Sequence, residues 1–95
     1  MTKRYLTREE LYELVDKLEI NAETGEIVRN FLRNASDSEV LHLARTVQDA
    51  IDIVNDLRAM GHNISPSSVT YVLKHVVIKS VNQLVDQTEK THANS

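Results

Sequence analysis

Almost nothing in this sequence breaks a helix. Gly25, Gly61 and Pro66 are the only glycines and the only proline in 95 residues. Between them, apolar side chains recur at i, i+3, i+4 and i+7, the period of an amphipathic helix rather than the alternation of a strand. A sandwich or barrel needs turn-forming residues roughly every 8–12 positions, and this chain does not supply them. The expected fold class is therefore all-α. With 41% apolar and 26% charged residues the chain is hydrophobic enough to fold. Its length suits one helical domain spanning 1–95, near the size at which a second subunit adds much stability.

Capping chemistry divides the chain into four helices. Thr7 with Glu10 three residues later is a capping box, and it opens a first helix over 8–20 with the stripe Leu11, Leu14, Val15 and Leu18. Asn21 or Thr24 caps a second, whose apolar face is Ile27, Val28, Phe31, Leu32 and Ala35 and which should end near Asn34. Ser36 and Glu39 form another capping box at the head of a long helix, about 37–60, stopped by Gly61 at a natural C-terminal position. Its core face is Val40, Leu43, Ala44, Val47, Ala50, Ile51, Val54 and Leu57, with Arg45, Asp49, Asp52 and Asp56 opposite. Ser65 and Pro66 start the fourth, about 66–88. Residues 69–81 are rich in β-branched side chains that would also suit a strand, but length and period favour a helix. The architecture expected is a small four-helix bundle: two short N-terminal helices, then a long antiparallel helical hairpin. The polar tail 89–95 is expected to fray.

The fourth helix carries more apolar residues than one buried stripe requires. Its main face is Val69, Val72, Leu73, Val76, Val77 and Leu84. Tyr71, Ile78 and Val85 recur at seven-residue intervals on nearly the opposite side. A single surface helix needs only one stripe, so this second seam is the candidate protein interface, for a homodimer or for another protein partner.

Other chemistry is sparse. Cysteine is absent, which removes disulfides, thiol nucleophiles and thiolate metal sites. No segment approaches the roughly 20 apolar residues of a membrane span, and the charged N-terminus has no apolar signal core. The expectation is a cytoplasmic protein with no membrane partner. Glu39 with His42 and Glu89 with His92 have the Glu-x-x-His spacing of carboxylate-bridged di-iron bundles. Glu39 is already used by a capping box, however, and the other pair lies in the tail. His62 and His75 have no serine nucleophile and carboxylate at triad spacing, and no glycine-rich phosphate loop exists. An enzyme, a metal site, a cofactor and a small-molecule substrate are therefore not expected. A net charge of −3 argues against binding phosphate backbones by bulk charge.

One stretch points elsewhere. "ISPSSVTYVL", residues 64–73, resembles the start of the recognition helix in helix-turn-helix proteins of the lactose-repressor type. That resemblance implies a DNA-facing set of Ser65, Ser67, Ser68, Thr70, Tyr71 and Lys74, presented by a capped helix N-terminus. Tyr71 stands where the family carries Arg, and three residues separate Gly61 from Ser65 where the family has one. The function expected first is a small non-enzymatic helical regulator or adaptor, of bacterial or phage type, working through Tyr71, Ile78 and Val85. The alternative is a DNA-binding transcriptional regulator with 66–88 as its recognition helix.

Overall fold

A computed structural model describes the backbone from Arg4 to Ala93 and the side chains from Arg4 to Asp86. It is all-α, with α1 (Arg8–Lys17), α2 (Ala22–Asn34), α3 (Asp37–Ala59) and α4 (Pro66–Ala93), and no strand among the described residues.

Each start is fixed by a side-chain cap. Thr7 Oγ1 accepts the Glu10 amide at 3.2 Å while the Glu10 carboxylate accepts the Thr7 amide at 3.0 Å. Ser36 and Glu39 make the same reciprocal pair at 3.3 and 3.0 Å. Asn21 Oδ1 accepts from the Thr24 amide at 2.9 Å, which makes Asn21 the cap of α2. Ser65 Oγ accepts from the Ser68 amide at 3.2 Å. Each cap satisfies an amide left orphaned by the first turn, a gain of about 1 kcal/mol.

The helix ends show where local chemistry departs from the expected boundaries. After α3, the amide of His62 donates to the carbonyl of Leu57 and that of Gly61 to Arg58, both at 3.0 Å. This is a Schellman motif, and it needs the positive φ of 97° that Gly61 adopts. Helix α1 stops at Lys17, short of residue 20, because Glu19 takes a left-handed φ of 53°. Helix α4 continues to Ala93, past Thr88. The fraying expected of 89–95 concerns side chains, and at Asn94 and Ser95 also backbone, outside the described residues.

Helices α3 and α4 share the most extensive interface; α1 packs on α2, and α2 on α4. A link as short as Met60 to Ser65 lets two long helices lie alongside each other only antiparallel. The core joins Leu11, Val15 and Leu18 of α1, Val28, Phe31 and Leu32 of α2, Val40, Leu43, Ala44 and Val47 of α3, and Leu73, Val77 and Val81 of α4. Each fully buried Leu or Val contributes about 1.5–3 kcal/mol. Arg8 ties three helices together: its guanidinium donates to the carbonyl of Leu32 and, at 3.1 Å, to the carboxylate of Asp37. Two residues assigned to core faces are exposed instead, Ile27 on α2 and Val72 on α4. The buried arc of α4 is rotated to centre on Leu73, Val77, Ser80 and Val81.

Candidate interaction surface

The three residues of the seven-residue seam of α4 differ in exposure. Val85 is half-buried and lines a groove of about 350 Å³ with Ile27, Phe31 and Ala35, rimmed by Asn30, Asn34 and Glu39. Ile78 is half-buried, and Tyr71 is exposed with its ring edge against His75, centroids 4.5 Å apart. At 3.6 residues per turn a strict seven-residue repeat drifts about 20° per heptad, so the row stays on one side of α4; it meets α2 at its Val85 end and is open to solvent at Tyr71.

The hydroxyls of the helix-turn-helix set are engaged locally. Ser65 Oγ lies 3.2 Å from Ser67 Oγ and 2.9 Å from Ser68 Oγ, and Thr70 Oγ1 donates to the carbonyl of Pro66 at 3.1 Å. All four are exposed, and Lys74 is half-buried. In the Glu-x-x-His pair of α3, the Glu39 carboxylate holds the Ser36 amide and hydroxyl. The side chains of Glu89 and His92 lie outside the described residues. Among the described residues no group of three or more His, Cys, Asp or Glu is arranged to hold a metal, and no helix is long and apolar enough to cross a membrane.

What the fold exposes instead is an apolar strip over the outside of α3 and α4. Of the six large hydrophobic side chains left exposed among the described residues, five belong to this pair of helices and its turn: Ile53 (59%), Val72 (40%), Tyr71 (64%), Met60 (75%) and Leu41, the last about 120° round α3 from Ile53. Their placement follows from what the opposite flanks touch. Val85 faces α2, and Val72 is about 140° round α4 from it at 3.6 residues per turn, on the flank toward α3. Ile51 faces α1, lining a groove of about 230 Å³ with Leu6 and Leu14. Ile53 is about 200° from Ile51, on the outer flank toward α4. Ile53 and Val72 each stand six residues in from the helix end at the turn, so they lie at the same height. Half-buried Ala50, Leu57, Val69 and Val76 extend the strip in both directions.

No family model, curated protein or solved structure matches this chain.

Charge differs between the two helices. Helix α3 carries five acidic side chains, Asp37, Glu39, Asp49, Asp52 and Asp56, against Arg45 and Arg58, a net −3. The described part of α4 carries Lys74 and Lys79 against Asp86, a net +1. Arg45 has its guanidinium 5.6 Å from the centre of the Tyr5 ring, and Asp49 and Asp56, four residues before and three after Ile53, are the acidic neighbours of that isoleucine along α3. Sequence reasoning missed Ile53 because it sits among Asp49, Asp52 and Asp56 and reads as polar-face background. An isoleucine on an otherwise acidic face was the available sign.

Proposed function

We propose that this protein is a non-enzymatic helical regulator or adaptor whose working surface is the outer face of α3 and α4, a strip centred on Ile53 and Val72 and edged by Tyr71. The observation that supports this is the concentration of exposed large apolar side chains there. An apolar core with a charged rim is how protein interfaces are built, and solvent-facing apolar patches on soluble domains mark contact sites. Tyr71 remains from the seam expected in the sequence, Ile78 is half-buried beside it along α4, and Val85 lines the groove against α2.

The test is site-specific photo-crosslinking in expressing cells. A benzophenone side chain at Val72 should give protein adducts, while the same probe at Glu26, on α2, should give none. Absence of adducts from Val72, or equal yields from both positions, would remove this surface from consideration. The DNA-binding alternative has its own readout in the anisotropy of a labelled random duplex. Binding at low salt that is lost steeply as salt rises would revive Ser65, Ser67, Ser68, Thr70 and Lys74 as its contacts.

A further inference from the structure

We infer that the partner on this face is a second copy of the same chain, the two copies joined about a twofold axis that runs along the α3–α4 hairpin. This rests on the surface assigned above and goes further by naming its occupant.

The charge pattern points to a copy rather than to an unrelated protein. An isologous contact must be self-complementary, because each patch meets itself rotated by 180°. Rotation about an axis parallel to the two helices lays α3 of each copy over α4 of the other without changing height. The acidic helix then meets the less acidic, locally basic one, twice. Ile53 falls on the partner's Val72, since both lie six residues from the turn. Asp49, ten residues in from its helix end, comes to the height of the partner's His75, nine residues in, and within a side chain's reach of the partner's Lys79, thirteen in. A dimer that stacked α3 on α3 would instead set the acidic faces around Asp49 and Asp56 against each other, which like charges disfavour.

The available area is also the right size. Two helices side by side, each about 10 Å across and about 35 Å long, offer roughly 700 Å² per copy, close to the ~800 Å² per partner of a standard interface.

Sedimentation velocity on the purified full chain, from micromolar to a few hundred micromolar, tests the proposal. The wild type should shift from about one chain mass to two across this range. Ile53→Asp should weaken association at least tenfold, with the helical circular dichroism unchanged. Asp49→Lys and Lys79→Glu should each weaken it several-fold, because each sets like charges across the interface. Mixing the two charge variants should regenerate a dimer, since every cross-copy pair is then Lys with Glu or Asp with Lys. A contact within one copy could not be repaired by mixing. A wild type that stays monomeric throughout, or charge variants that associate no better mixed than alone, would overturn the second copy as partner. Adducts from Val72 to a different protein would then leave the surface standing, whereas no adducts at all would remove both.

Discussion

At the scale of single residues, Glu19 and Gly61 occupy the same structural position with opposite suitability. Each follows a helix end and takes a left-handed φ, 53° for Glu19 and 97° for Gly61. A side chain in that region costs about 1–2 kcal/mol, and glycine adopts it freely while losing more entropy on folding. Glu19→Gly should therefore stabilise the protein by about 0.5 kcal/mol. Gly61→Ala should destabilise it by about 1 kcal/mol, from backbone strain alone, since a Cβ there meets nothing within 4 Å. Urea unfolding checks both, as midpoint shifts in opposite directions at unchanged slope. Glu10 offers a different test. The Thr7 amide hydrogen-bonded to its carboxylate, helped by the Thr7 hydroxyl and Arg4, holds its pKa below the ordinary glutamate value. A carboxyl depressed in the folded state adds stability that is fully present above its unfolded pKa and lost as pH falls through the folded one. Glu10→Gln should thus make stability fall less steeply with acid below about pH 4.3, read from denaturation midpoints at a series of pH values.

At the scale of elements, the starts of the helices were legible because a cap is local chemistry: Thr7, Ser36 and Ser65 need only the next three residues to act. Gly61 was legible for the same reason. The end of α1 was not, because Glu19 carries no turn signature and is driven into the left-handed region by the chain's need to reach α2. Burial was legible where a helix has one apolar stripe and ambiguous where it has more. On α4 the apolar arc is wide, and which part is covered depends on where α2 and α3 sit; the sequence does not contain that. Val72 and Ile27 were accordingly placed inside and lie outside. Neighbouring leucines on α3 make the point measurable. Leu43 is fully buried, and Leu43→Ala should cost about 3 kcal/mol through lost transfer energy and the cavity left behind. Leu41, two residues away and exposed, should cost within about 0.5 kcal/mol. Thermal or urea unfolding of the two variants separates a correct burial pattern from a rotated one.

At the scale of the whole molecule, dimerisation and stability are the same equilibrium seen from two sides. A partner that binds only the folded chain stabilises it by mass action, so the melting temperature of a self-associating protein rises with its own concentration. The wild type should melt several degrees higher at a hundredfold greater concentration, because a domain of this size shifts by about 4–8 °C per kcal/mol. Ile53→Asp should show a much smaller rise over the same concentration range. At low concentration, where the wild type is also monomeric, the two should nearly coincide: Ile53 is already solvated in the single copy, and an exposed substitution changes stability little. Differential scanning calorimetry at two concentrations reads all of this. A wild-type melt independent of concentration would place the stability of the fold wholly within one chain. A difference between the two proteins that persists unchanged at low concentration would mean that Ile53 supports the monomer rather than its pairing. The site was less legible than the fold for a physical reason. Folding consumes the apolar residues that agree with the helical pattern, whereas a contact surface is made from those the packing leaves over, and only the packed structure shows which those are.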